Sequence, residues 1–168
     1  MRPKVYPVSV LLLSIAAVSG AVAEPTLKLH TRSTLTMALA EKMALACVKH
    51  QHDNKGPPVD IAIYDDGAKL IYFVSMDGTS SGTGPTAMAK AESAARFRTP
   101  SAEIANWVKS NPAVGHVPGL LGVRGGLPIS TSSGKPLGGI GVSGAPSEVD
   151  EICAQAGFDA VVSELRDD

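Results

Sequence analysis

Two β-rich runs, residues 59–64 and 69–76, flank Asp65-Asp66-Gly67 in the stretch VDIAIYDDGAKLIYFVSMDG. An Asp-Gly pair between apolar runs makes a hairpin turn, because glycine accepts a positive φ without a Cβ clash. The spacing predicts an antiparallel pair of strands in the middle of the chain. Every other element has to be arranged around that pair.

Upstream, LTMALAEKMALACVKHQHDNKG reads as a helix. Thr36 suits its N-cap, and Met37, Ala40, Met43, Ala44, Cys47 and Val48 recur at helical spacing. Asn54 and Gly56 end it, and Pro57-Pro58 prevent a restart. Downstream of the hairpin, a Gly/Ser/Thr-rich loop from Met76 leads to Pro85, the expected first residue of a second helix with alanines along one stripe. Thr99-Pro100 precedes a short third helix over residues 101–109. Strands are expected at 120–123, 127–130 and 137–143, and Pro146 opens a final helix in which Gly157 is a weak point. Tight turns between strands, with helices before and after, imply an α+β chain with a mostly antiparallel sheet.

Residues 1–23 have the layout of a secretory signal peptide. Arg2 and Lys4 form a basic start, residues 8–18 an apolar run, and Ala21-Val22-Ala23 a small-residue cleavage site before Glu24. The run is too short for a membrane anchor. The mature chain, residues 24–168, is then expected as one domain in the periplasm or outside the cell, with no stable membrane insertion after cleavage. Without Arg2 and Lys4, 13 of the 15 basic residues stand against 16 acidic ones. The basic residues are scattered and aromatics are scarce, which excludes a nucleic-acid surface. The two cysteines, Cys47 and Cys153, both fall in the exported part. An even count in an oxidising compartment allows a disulfide if the Cα atoms come within about 7 Å. Two separate buried thiols are the alternative.

LGGIGVSG, residues 137–144, carries four glycines. It lacks the G-x-x-x-x-G-K-[ST] of a phosphate loop. A dinucleotide fingerprint would need a following βαβ unit, whereas the residues after Gly144 read as one helix. Glycine inside a strand marks close approach by a ligand or by another backbone. Gly125, Gly126, Gly138, Gly139 and Gly141 can line one shallow wall, or serve as turn and bulge punctuation.

Three segments together resemble the GlcG/HbpS-like family of haem-binding proteins: VDIAIYDDGAKLIYFVSMDG, GPTAMAKAESAARFRTPS, and RGGLPISTSSGKPLGGIGVSGAPSEVDEICAQAG. The resemblance spans roughly residues 35–162. It implies a profilin-like α+β fold, a five-stranded antiparallel sheet flanked by helices, in a homo-oligomer. It also implies binding of haem or a related tetrapyrrole. Carried over by motif, Met76, Asp77, Lys90, Gly125, Gly126, Gly141 and Ser143 match the family pattern.

Haem needs an apolar slot, axial ligands and donors for its propionates. His116, in a Gly/Pro-flanked loop near the glycine-rich strands, is the candidate axial ligand. His50 and His52 read as solvated residues at a helix end, where their donors suit the dipole. Arg124, with Lys90 and Arg96, is a candidate for the propionates. No C-x-x-C-H occurs, so covalent c-type attachment is excluded. The alternatives are a small-molecule isomerase or lyase using Asp77 and Lys90 as acid and base, or an oligomeric accessory module of a periplasmic oxidation pathway.

Overall fold

A computed structural model describes residues 32–166, and the expected signal peptide lies outside the described residues. The hairpin forms where expected, although the positive φ of its turn falls on Ala68, at 58°, and not on Gly67. β1 (Asp60–Asp65) and β2 (Leu70–Ser75) run antiparallel, with Ile61 opposite Val74 and Ile63 opposite Tyr72. Asp65 Oδ1 closes the turn by accepting from the backbone N–H groups of Gly67 and Lys69, each at 2.9 Å. β4 (Pro136–Ser143) pairs with the other side of β1, and β3 (Gly126–Ser130) pairs with β4. The sheet is antiparallel throughout, in the order β2-β1-β4-β3.

It has four strands among the described residues, not five. Residues 120–123 have the composition of a strand but pack on helices instead. A Cβ on Gly122 would lie 2.8 Å from the Ala105 Cα, and the Leu121 N–H donates to Ser93 Oγ at 2.9 Å. With its donor taken by a helix residue, this run has no ladder to join.

Four α-helices among the described residues cover the sheet. α1 (Met37–Asp53) is capped by Thr36, whose hydroxyl accepts from the Leu39 N–H, and ends at Asn54. α2 spans Thr83–Phe97, which puts Pro85 inside the first turn, where its missing N–H is not needed. α3 covers Ser101–Ser110 and is followed by a 3-10 turn at Pro112–His116. α4 (Ser147–Asp159) completes the set.

α1 and α4 lie on one face of the sheet. There Met43, Cys47, Ile61, Ile63, Ile140 and Val142 form the main core. Gly157 is a crossing point of these helices, since a Cβ on it would sit 2.8 Å from the Met43 carbonyl oxygen. A Cys47–Cys153 disulfide joins them, with Cα atoms 4.8 Å apart. Met37, placed on the buried stripe by its spacing, is instead 64% exposed. α2 covers the other face of the sheet with Ala87 and Ala91 against Ala62. No helix among the described residues is long and apolar enough to cross a membrane.

Candidate functional site

The alternation along β4 sets what each face can hold. Ile140 and Val142 point into the main core, whereas Gly139 and Gly141 face α2. A Cβ on Gly139 would lie 2.5 Å from the Ala91 carbonyl oxygen and 2.7 Å from the Ala95 nitrogen. One on Gly141 would run into Ala87 and Ala91. On Gly126 it would stand 2.6 Å from the Lys90 carbonyl oxygen. The glycines therefore give room to the backbone of α2, and that helix occupies the space a flat ligand would need. Ser143 is buried at the end of β4, opposite Asp60.

Lys90 is held in the same layer. Its side chain is 2% exposed, and Nζ donates to Asp150 Oδ2 and to the Val142 carbonyl, each at 2.8 Å. Gly125 makes room for it, since a Cβ there would stand 3.0 Å from Nζ. Asp150 also accepts from the Ala145 N–H at 3.0 Å, which ties the turn after β4 to the first turn of α4. Burial pushes the Asp150 carboxyl above its ordinary value, against the pull of the Lys90 and Ala145 hydrogen bonds. The ammonium of Lys90 is thus committed inside the fold, whereas Asp77 is exposed on the loop after β2. The two do not meet as an acid–base pair.

Arg124 is half exposed and faces α4, with Glu151 at 3.3 Å and Glu148 at 3.7 Å. His116 ends the 3-10 turn in an exposed position.

Met76 and Asp77 come together with residues of another element. A hollow of about 290 Å³ lies between the second half of α1 and the end of β2. Leu45, Val48 and His52 line it from α1, and Val74, Ser75, Met76 and Asp77 line it from β2 and the loop beyond. Leu45, Val48 and His52 stand three and four residues apart, so they share one side of the helix. The loop is anchored from beneath by Asp60. This buried carboxylate accepts from the hydroxyls of Thr79, at 3.1 Å, and Thr83. Ser75 Oγ adds a hydrogen bond to Thr79 Oγ1 at 3.0 Å. The Ser/Thr content of this loop thus fixes Met76 and Asp77 opposite α1.

The hollow joins apolar side chains to an imidazole and a thioether, donors of the kind that hold haem iron, with the Ser75 hydroxyl and the Asp77 carboxylate beside them. His52 is the member that reading the sequence assigned to solvent. Its signal was the Leu45–Val48–His52 spacing, which the stronger pattern of buried residues on α1 masked.

The family described as haem degrading protein HbpS-like matches residues 35–159. Among solved structures, HbpS is 32% identical with a TM-score of 0.75, covering 83% of this chain and 99% of that one. A double mutant of Streptomyces reticuli HbpS is 30% identical with a TM-score of 0.74, covering 83% and 97%. The Klebsiella pneumoniae protein ORFY is 25% identical with a TM-score of 0.74, covering 82% and 97%. The PduOC–haem complex, 22% identical with a TM-score of 0.70 over 76% of this chain and 95% of that one, shares the fold. No curated protein matches the chain. By the extent of the family match, from the start of α1 to the end of α4, the chain belongs to the HbpS-like family.

Proposed function

We propose that this is an exported haem-binding protein that seats the tetrapyrrole in the hollow between α1 and β2. One observation carries the reading: His52 and Met76 line a single hollow with the apolar side chains of Leu45, Val48 and Val74, beside Ser75 and Asp77. His52 would hold the iron through a ring nitrogen, with Met76 as the second soft donor, and the valines would contact the macrocycle. When bound, the haem supplies the iron and its redox chemistry. The chain's part is to orient the ring and to keep water from its inner face. A hollow at the surface, with Leu45 half exposed at its rim, suits loading and release, as a carrier requires. The family's haem-related description supports the ligand, and the Cys47–Cys153 disulfide supports an oxidising compartment.

Titration of the purified protein with hemin tests this reading. A saturable shift of the Soret band at micromolar haem is expected. His52→Ala should move the band and weaken binding at least tenfold, while His116→Ala leaves both unchanged. Absence of a saturable shift in the wild type removes the proposal. A shift lost with His116→Ala instead moves the iron to the 3-10 turn.

A further inference from the structure

At the far end of α1 from His52 the fold holds a second pocket, of about 270 Å³. Leu35, Leu137 and Leu165, all buried, form its apolar side together with Leu39 from the first turn of α1. Its polar side comes from two segments. Thr131 and Lys135 stand at the two ends of the turn between β3 and β4, and Glu164 and Arg166 flank Leu165 after α4.

Hydrogen bonds fix these walls. The Thr131 N–H donates to the Lys135 carbonyl at 2.9 Å, and Thr131 Oγ1 accepts from the Lys135 N–H at 3.1 Å, which closes the turn. The Ser132 N–H donates to the Leu165 carbonyl at 2.9 Å and fastens the segment after α4 to that turn. From α1, Lys42 pairs with Glu164. That hydrogen bond holds the Glu164 carboxyl below its ordinary value, so the group stays ionised with a cation already beside it. The lining groups and Lys42 together carry three cations, Lys42, Lys135 and Arg166, against the one carboxylate of Glu164 among the described residues. A guest that answers both sides of the pocket is an anion with an apolar body.

We propose that this pocket binds a small aliphatic carboxylate, its tail on the leucines and its head group at Arg166 and Lys135. At about 30 Å³ per water, 270 Å³ holds roughly nine waters, the space of about ten non-hydrogen atoms. A guanidinium fork matches a carboxylate through two parallel hydrogen bonds. Acetate or inorganic phosphate would leave the leucines facing water, and a neutral chain would leave the cations unanswered. The inference is independent of the haem reading, since the two cavities share no lining residue.

Titration of the purified, ¹⁵N-labelled protein with octanoate, a chain of about this size, tests the inference through its amide chemical shifts. Saturable shifts confined to residues 33–39, 131–137 and 164–166 are expected, with a Kd on the order of several hundred micromolar for so few atoms. Octanamide and acetate should each bind at least about tenfold more weakly. Arg166→Gln should weaken octanoate binding about fivefold and Arg166→Lys by less. Leu39→Trp, which fills the pocket, should abolish binding, and unchanged amide shifts elsewhere show that each variant is folded. Hemin-loaded protein should bind octanoate as tightly as the hemin-free protein. Absence of a saturable shift overturns the proposal, as does octanamide binding as tightly as octanoate. Affinity indifferent to both Arg166→Gln and Leu39→Trp overturns the site. Competition between hemin and octanoate, with shifts at residues 45–52 and 74–77, puts both guests in the other hollow and overturns this inference while the haem reading stands.

Discussion

Replacing Gly139 by alanine asks directly what the glycines of β4 accommodate. The added Cβ would lie 2.5 Å from the Ala91 carbonyl oxygen and 2.7 Å from the Ala95 nitrogen. Ordinary contact begins near 3.4 Å, so α2 must lift by about 0.9 Å or β4 must bend away. Both neighbours are backbone atoms of a helix, and no flexible side chain is there to turn aside. Overpacking typically costs about 1–3 kcal/mol, and a rigid neighbour puts this site at roughly 3 kcal/mol. At about 4 °C per kcal/mol for a domain of this size, the melting temperature should fall by roughly 12 °C.

Thermal melts followed by far-ultraviolet circular dichroism read the shift, and urea midpoints check it. Gly82→Ala is the control. It has open space around its Cβ position and an ordinary φ of −87°, and should stay within about 0.5 kcal/mol of wild type. If Gly139→Ala melts within 3 °C of the wild type while haem binding is lost, the glycine wall serves a ligand and the role assigned to α2 is wrong.

Lys90→Met leaves the Asp150 carboxylate buried without its ammonium and should cost about 3–5 kcal/mol in urea unfolding, most of it recovered in Lys90→Met/Asp150→Leu. Asp150 binds its proton more readily in the fold than in the unfolded chain. Its titration therefore adds stability that is complete below the ordinary carboxylate range and lost as pH rises through the raised folded value. The stability of the wild type relative to Asp150→Asn should accordingly be greater at pH 4 than at pH 7, and the opposite trend would show that Lys90 outweighs burial. Removing the disulfide with Cys47→Ala/Cys153→Ala should cost about 4–5 kcal/mol, given the 106-residue separation, measured as a fall in the urea midpoint. Thr79→Val takes one hydroxyl from the buried Asp60 and should cost about 1–2 kcal/mol, with faster proteolysis in the loop at 76–82 as its readout.

The elements legible in the sequence are those whose signals are local. The Asp-Gly turn, the Thr36 cap and the Asn54 stop each act within a few residues, and each stands at its expected place, though Ala68 and not Gly67 takes the positive φ of the turn. The run at 120–123 is apolar like a strand, but Ser93 and Ala105 claim it from elsewhere in the chain, and no window around it reports that contact. The glycines of β4 do mark a close approach. At Gly139 and Gly141 what approaches is α2, because the small side chains of Ala87 and Ala91 let that helix settle onto bare backbone, whereas Gly138 meets the Tyr64 carbonyl of β1. Lys90 and Asp150 are 60 residues apart, so their pairing is a product of the fold. The hollow was half legible. Met76 and Asp77 follow a recognisable strand, but His52 joins them only after the hairpin has brought β2 beside the second half of α1.

The bond between Cys47 and Cys153 makes a closed ring of the chain between them, and that ring contains the whole sheet together with α2 and α3. A single cut by a protease at any exposed bend within it severs the backbone without producing two molecules. The nicked protein keeps its mass under non-reducing electrophoresis and separates into fragments only when a thiol reagent is added. A broken surface loop is then a local injury.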